Sequence, residues 1–217
     1  MRNLIQQSSA TFSIVARCSR TNEVGVCVAT AIPAVGSVVP YAESGVGAIA
    51  TQASTNVVYG TRGLELLRSG LSPDQALQRI LREDPERDSR QVIMIDAQGR
   101  TAAFTGKACV DWKGHVIGKD YVVAGNMLVG AQVVQSMAEA FEAGGGELEE
   151  RLLRALEAGQ KAGGDKRGKR SAALLVMKRP EYKGVRPFID LRVDYHEDPV
   201  RELRRIFEAY KAWGIQT

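Results

Sequence analysis

The sequence is poor in residues that bind metals or form disulfides. Its 217 residues include three cysteines and two histidines, and no two cysteines have the CxxC spacing. An odd number of cysteines is typical of a reducing compartment, where disulfides do not persist. With so few histidines, a histidine-rich zinc site is not expected either. We therefore predict a protein with no metal ion and no cofactor.

Long apolar runs are absent too. No run approaches the roughly 18 residues that a membrane-spanning helix needs. The first ten residues, MRNLIQQSSA, lack the apolar core of a secretory signal. These absences predict a cytoplasmic protein that has no membrane partner.

Two common catalytic patterns are also missing. The nucleophile motif GxSxG does not occur, and no pair of carboxylates stands out for glycoside hydrolysis. Cys18, Cys27 and Cys109 lie in apolar or strand contexts, where cysteine acts as a small hydrophobic residue rather than a nucleophile.

The composition is that of an ordinary globular protein. Hydrophobic residues make up 44% of the chain and charged residues 25%. The length suits one domain over residues 1–217, with residues 1–10 as an N-terminal extension. The net charge of +4 is small and gives little support for an anionic partner.

Apolar periodicity predicts strands and helices that come in groups. A polar turn, SRTNE, joins two strands at 12–19 and 24–32, and Ala97-Gln98-Gly99 marks a second hairpin. Ser72 and Gln75 predict a capping box at the start of one helix, and Asp198 is expected to cap the last one. Further strands are predicted at 46–51 and in WKGHVIG, DYVVAGN, SAALLVMK and FIDLRV, and helices in TRGLELLRS, SPDQALQRILRED, 131–142, LEERLLRALEAGQ and from Pro199 onward.

This order of elements decides between fold classes. Strands are followed by two helices, then strands, two helices, strands and a final helix, which is not the strict alternation of a doubly wound parallel sheet. Hairpins with helices inserted in pairs predict an α+β fold, in which two stacked, mainly antiparallel sheets are covered by helix layers.

The segment SSATFSIVARC raises a question about Thr11. From Thr11 onward the strand alternates, with Phe12, Ile14 and Ala16 on one face, and Thr11, Ser13, Val15 and Arg17 on the other. A small residue, Ala10, precedes the threonine. Thr11 is therefore either a β-branched strand residue or a nucleophile that is exposed when the bond before it is cut.

The basic loop at 161–170 comes close to a phosphate-binding motif. Gly163 to Lys169 reads GxxxxGK, but Arg170 stands where serine or threonine would hold magnesium, and the loop follows a helix and precedes a strand. We therefore favour a helix cap with a solvated turn over a phosphate loop, and the remaining alternative is a site loop that exposes backbone N–H groups beside Asp165 and Arg167. Binding of nucleic acid is not favoured, because no aromatic residues lie between the basic ones.

Several motifs occur together and in a fixed order: TFSIVAR, VGVCVA, AVGSVVP, GVGAIATQASTN, YGTRGLELL, GLSPDQAL, IDAQGRTAAFTG, GHVIG, GNMLVG, and AGGDKRG followed by SAALLV. Together they resemble the family called domain of unknown function 1028, which is similar in fold to the N-terminal-nucleophile (Ntn) hydrolases. The resemblance runs from about Thr11 to about Tyr210. It implies a four-layer αββα sandwich and, by kinship of fold, hydrolysis of an amide bond.

Ntn chemistry requires threonine, serine or cysteine as the first residue. The hydroxyl or thiol attacks the amide carbon and the residue's own α-amine takes the proton. Such an amine has a pKa near 8, so that it is a base close to neutral pH. Thr11 suits this role in type and position. Ten residues precede it here, whereas members of the family are expected to begin almost directly at this threonine.

Other residues are candidates for supporting roles, each with a structural alternative. Arg17 would orient the nucleophile or depress the amine pKa, unless it is a surface arginine. Asn126 would donate to an oxyanion, unless it is a turn residue. Candidates for substrate contacts are Ser13, Thr51, Gln52, Asn56, His115 as an acid or base, and the pair Asp165 and Arg167, which would bind a substrate carboxylate or amide or simply pair with each other.

Three functions remain open from the sequence. The first is an Ntn-type hydrolase of a small amide or ureido compound. The second is an inactive ligand-binding or scaffold protein on the same fold, in which Thr11 stays internal. The third is a binder of anions or nucleic acid through residues 161–170. A homodimer is expected by analogy with the fold.

Overall fold

The computed structural model describes residues 11–178 and 187–213, and within these ranges hairpins dominate the strand order. The strands are β1 (Thr11–Arg17), β2 (Val24–Thr30), β3 (Pro40–Glu43), β4 (Gly47–Ala53), β5 (Arg90–Asp96), β6 (Thr101–Thr105), β7 (Gly114–Gly118), β8 (Tyr121–Asn126), β9 (Ser171–Met177) and β10 (Ile189–Val193). The helices are α1 (Val58–Arg68), α2 (Pro73–Glu83), α3 (Gln132–Ala143), α4 (Leu148–Lys161) and α5 (Pro199–Ala212).

The strands form two antiparallel sheets. The larger sheet has the order β10-β9-β2-β1-β8-β7, and the smaller has the order β3-β4-β5-β6. Each strand pair in both sheets is antiparallel. The predicted α+β class with two antiparallel sheets is confirmed.

Three apolar clusters hold the layers together. Between the sheets lies a cluster of small and β-branched side chains that includes Val15, Val26 and Ile93. A second cluster packs α3, α4 and α5 on the outer face of the six-stranded sheet, and a third packs α1 and α2 on the four-stranded sheet. The order of layers is therefore helix, sheet, sheet, helix, as the predicted αββα sandwich requires.

Strand β1 lies in the middle of the larger sheet and has two different faces. Phe12, Ile14 and Ala16 pack against the helices, whereas Val15 packs between the sheets. Because side chains alternate along a strand, Thr11 and Ser13 point into the space between the sheets. The predicted alternation of β1 is confirmed.

Most of the local structure predicted from the sequence is confirmed, with two exceptions. Ser72 and Gln75 form the expected capping box at the start of α2. Asp198 precedes α5 without capping it, since its carboxylate pairs with Lys169 at 2.8 Å instead. The short strand β3, at the edge of the smaller sheet, is not among the predicted strands, because four residues that begin with Pro40 carry almost no periodicity.

Among the described residues, none of the helices is both long and apolar enough to pass through a bilayer.

Candidate active site

Polar side chains form a row across the larger sheet at the end where β1 begins. Thr11 is the partner of Thr30 on one side and of Asn126 on the other, and Thr30 is the partner of Ser171. Cross-strand partners project from the same face of a sheet. All four residues are buried, so that Ser171, Thr30, Thr11 and Asn126 form one polar row between the sheets.

Thr11 is enclosed in the intact chain. None of its surface is exposed, and its hydroxyl oxygen lies 3.5 Å from that of Thr30. Its carbonyl oxygen accepts a long hydrogen bond of 3.5 Å from Gln52 Nε2. The predicted chemistry depends on the bond between Ala10 and Thr11. Ala10 lies outside the described ranges.

The smaller sheet contributes two buried glutamines opposite this row. The Ser13 hydroxyl donates to Gln52 Oε1 at 2.7 Å, and Gln52 Nε2 donates to Gln91 Oε1 at 2.8 Å. Both glutamines are at most 1% exposed. They therefore connect the start of β1 to the end of β4 and the start of β5 through side-chain amides.

Asn126 joins the same network from β8. Its Nδ2 donates to Gln91 Oε1 at 2.9 Å, which uses one of the two hydrogens on this nitrogen. Its Oδ1 is buried and has no hydrogen-bond partner among the residues that the structure describes. Buried polar atoms without partners are uncommon, so this oxygen is open to a hydrogen bond from a ligand or a water molecule.

His115 contacts the outer end of the network. Gln91 Nε2 donates to Thr105 Oγ1 at 2.9 Å, and His115 Nδ1 lies 2.9 Å from the same oxygen. His115 itself is exposed on the edge strand β7. Partial desolvation of its ring lowers the pKa of His115 below the ordinary histidine value, so that the neutral ring is favoured at neutral pH.

The loop between α4 and β9 closes over the ends of β1, β2 and β8. Asp165 is buried, and its Oδ2 accepts a hydrogen bond of 2.9 Å from the backbone nitrogen of Ala31. Arg167 forms a salt bridge of 3.0 Å with the same carboxylate. The Asp165 carboxylate thus anchors the loop and forms with Arg167 the mutual salt bridge that the sequence left as the alternative to a substrate contact.

The other cations of this loop also contact the protein. Lys166 Nζ donates to the carbonyl of Asp111 at 2.9 Å, and Lys169 pairs with Asp198. The Arg170 guanidinium lies over the ring of Tyr195, 5.9 Å from its centre. The helix–loop–strand order also differs from that of a phosphate loop, in agreement with the sequence argument.

Arg17, a predicted catalytic residue, lies away from Thr11. It is at the opposite end of β1, about 20 Å along the strand, and pairs with Asp120 at 3.0 Å. Its predicted role beside the nucleophile is therefore incompatible with the structure.

Two predicted substrate contacts, Thr51 and Asn56, are also directed elsewhere. Thr51 lies on the α1 face of β4 and donates to the carbonyl of Asn56. The side chain of Asn56 accepts from the backbone nitrogen of Val58 at the start of α1. Thr51 and Asn56 thus shape a loop instead of lining the gap.

Four residues of the network were not predicted: Gln91, Thr30, Thr105 and Ser171. A signal for Gln91 does exist in the sequence. It precedes Ile93 and Ile95 on the same face of QVIMID, and both isoleucines pack between the sheets. A glutamine at an inward position of such a strand must find buried partners.

The comparisons with known proteins agree with this architecture. The model of a family of unknown function, DUF1028, matches residues 11–203. The chain belongs to this family. A crystal structure of a family member from Silicibacter pomeroyi is similar, with 36% sequence identity and a TM-score of 0.86, over 94% of this chain and 87% of that one. The predicted family membership is confirmed.

A more distant likeness is to Anbu (ancestral beta-subunit) from Yersinia bercovieri. It has 9% identity and a TM-score of 0.44, over 95% of this chain and 97% of that one. No curated protein matches the chain. In the described ranges, no three or more histidine, cysteine, aspartate or glutamate side chains are grouped so as to hold a metal ion.

Proposed function

We propose that this protein hydrolyses an amide bond and that Thr11 is the nucleophile once it has become the first residue of the chain. The observation that carries the proposal is the buried polar row in which Thr11 stands between Thr30 and Asn126. A threonine that served only as a strand residue would not need polar neighbours on both sides and two glutamines opposite.

The reaction follows from the atoms of Thr11. Its Oγ1 attacks the amide carbon and its α-amine takes the hydroxyl proton. The carbon–nitrogen bond then breaks, and the amine passes this proton to the leaving nitrogen. An ester between the acyl group and Thr11 remains. Water, deprotonated by the same α-amine, attacks the ester, releases the acid and restores the hydroxyl.

Asn126 is in a position to stabilise the tetrahedral intermediate. One hydrogen on its Nδ2 goes to Gln91, and the second remains for the oxyanion. Cross-strand pairing brings its side chain next to that of Thr11. The proposed role of Asn126 is thus electrostatic and requires no proton transfer.

A small amide that carries a carboxylate is the proposed substrate. Arg167, one third exposed, is held against the buried Asp165. Its Nε and Nη2 already donate to Asp165, so a substrate carboxylate would bind beside this ion pair. Asp165 also binds the backbone of Ala31, which follows Thr30, so the Arg167 loop adjoins the polar row. An amide or ureido compound with an acidic group would place its anionic end there.

A second candidate is ligand binding without turnover by the uncut chain. The observation in its favour is that Thr11, Ser13 and Asn126 are completely buried in the chain with its first ten residues attached. In that form the nitrogen of Thr11 belongs to a peptide bond and cannot act as a base. Such a binder would be stabilised thermally by its ligand, with no product formed.

Acylation by an electrophile tests the proposal without knowledge of the substrate. A β-lactone, which opens on an activated hydroxyl, is added to the full chain and to a chain that begins at Thr11. Only the shorter chain should gain the mass of the lactone, located at Thr11 by peptide mass spectrometry. Thr11→Ala should abolish labelling and the exposed Thr61→Ala should not. Equal labelling of both chains, or labelling elsewhere, would refute the assignment of Thr11.

A further inference from the structure

Gln91 reaches across the gap between the two sheets and contacts the backbone of the opposite one. It lies near the start of β5 and is fully buried. Its Nε2 lies 2.9 Å from the carbonyl oxygen of Gly125 and 3.1 Å from that of Gly114. Carbonyl oxygens only accept hydrogen bonds. The side-chain amide must therefore point its nitrogen toward β7 and β8, because the reverse orientation would bring oxygen against oxygen.

This orientation determines the orientation of two more amides. Gln91 Oε1 faces Gln52 Nε2 and Asn126 Nδ2, at 2.8 and 2.9 Å. If either amide were reversed, its own oxygen would face Gln91 Oε1. Gln52 is thereby left with its Oε1 toward Ser13, whose hydroxyl donates to it. The backbone carbonyls of Gly114 and Gly125 thus set the direction of each hydrogen bond as far as Ser13.

The consequence at Thr11 is specific. Asn126 is held so that its unpartnered Oδ1 and the second hydrogen of its Nδ2 remain for other groups. We propose that Gln91 is a positioning residue, which fixes the donors and acceptors that Asn126 and Ser13 present beside Thr11. The orienting role stands by itself, whereas any effect on a reaction rests on the proposed function.

Side-chain amide resonances test the orienting role directly. In the wild-type protein, the amide hydrogens of Asn126 and Gln52 that point to Gln91 Oε1 should be protected from exchange with solvent. Gln91→Met, which keeps the length of the side chain but not the amide, should speed exchange of both hydrogens by about tenfold or more. Gln98→Met, in the exposed turn after β5, is the matched control and should change neither. Wild-type shifts and exchange rates in a folded Gln91→Met protein would overturn the proposal.

Gln91→Glu supplies a second test, which remains valid even when the Gln91→Met protein does not fold. When the introduced carboxyl group is protonated, it still donates to a carbonyl and still accepts from Gln52 and Asn126, so it should preserve their protected hydrogens at about pH 4. When ionised, the same group would face the carbonyl oxygens of Gly114 and Gly125 beside the Thr105 hydroxyl, in a buried site that raises its pKa in the folded state. The melting temperature should therefore fall, relative to that of Gln98→Glu, as pH rises from about 4 to about 8. A difference that does not vary with pH would contradict the inference.

Activity separates this inference from the proposed function. If the chain that begins at Thr11 hydrolyses an amide, Gln91→Glu should lower kcat more than it raises KM, and Gln98→Glu should change neither. If the wild-type chain shows no hydrolysis, the proposed function fails, yet the amide resonances still decide on Gln91.

Discussion

Thr11 and Asn126 face each other across β1 and β8, and both side chains are completely buried. This pairing places the Thr11 hydroxyl next to the Asn126 amide, whose oxygen has no hydrogen-bond partner in the described part of the chain. Ser13, Gln52 and Gln91 continue the polar contacts into the other sheet. Hydrogen bonds therefore join the two sheets at this end. Apolar side chains fill the rest of the space between the sheets.

The first prediction concerns the hydroxyl of Thr11. In a chain that begins at this residue, Thr11→Ala should abolish amide hydrolysis because no nucleophile remains, whereas Thr11→Ser should retain part of it. Chromatography measures the acid or amine that is released and so checks the result. Hydrolysis by the alanine variant at the wild-type rate would assign the reaction to another residue.

The second prediction concerns Asn126. Asn126→Ala removes a donor to the oxyanion and should lower kcat by roughly 10²–10³. It also leaves Gln91 Oε1 with one donor fewer, so the melting temperature must be measured beside the rate. Gln135→Ala, at an exposed position of α3, is the control. A loss of stability alone, with kcat preserved, would argue for a purely structural asparagine.

The third prediction concerns a buried ion pair that holds the start of β5. Arg90 and Asp84 are both mostly buried and lie 2.9 Å apart, and Tyr59 donates to the same carboxylate. Burial alone would raise the pKa of Asp84, but the hydrogen bonds from Arg90, the Glu86 backbone and Tyr59 hold it below the usual value.

Arg90→Met should leave this carboxylate without its cation and cost roughly 3–5 kcal/mol of unfolding free energy, measured by urea denaturation. Arg87→Met, at an exposed position, should cost little. Because the folded-state pKa of Asp84 is lowered, its contribution to stability is present above the ordinary aspartate pKa and is lost as pH falls through the folded value. An equal loss in both variants would show that the pair contributes nothing.

The fourth prediction concerns Glu149 in the first turn of α4. Burial raises the pKa of Glu149, and the nearby Glu23 adds to this effect. Its Oε2 is buried and has no hydrogen-bond partner within residues 11–178 and 187–213. A raised folded-state pKa means that stability is highest below the ordinary glutamate pKa and is lost as pH rises through the folded value.

Glu149→Gln removes that charge and should raise the melting temperature at pH 7 by roughly 2–4 °C, with no gain near pH 4. Glu139→Gln, at an exposed position of α3, should give no gain at either pH. Calorimetry at both pH values makes the comparison, and a gain at pH 4 as large as that at pH 7 would contradict it.

The sequence predicts the layers of this fold well because strand alternation and helix periodicity report burial directly. Both faces of β1 and the capping box of α2 were predicted in this way. The position of a residue along a strand is a different matter. Arg17 and Thr11 lie on the same face of β1. The alternation of side chains shows which face a residue occupies, but not which end of the strand is next to the site.

The polar network was harder to predict because its partners come from separate parts of the chain. Gln91 contacts atoms contributed by β4, β6, β7 and β8. The spacing of residues in the sequence does not predict these contacts, because they depend on how the two sheets stack. What the sequence does show is a polar residue at an inward strand position, which indicates a buried partner without identifying it.

The most direct test of Thr11 as the nucleophile is to measure the intact mass and the N-terminal sequence of the native, untagged protein. If Thr11 is a nucleophile of the Ntn type, the mature protein should begin at Thr11 and its mass should equal that of residues 11–217. A native protein that carries the mass of all 217 residues and still hydrolyses its amide substrate would contradict the assignment of Thr11, because the nitrogen that should act as the base would remain in a peptide bond.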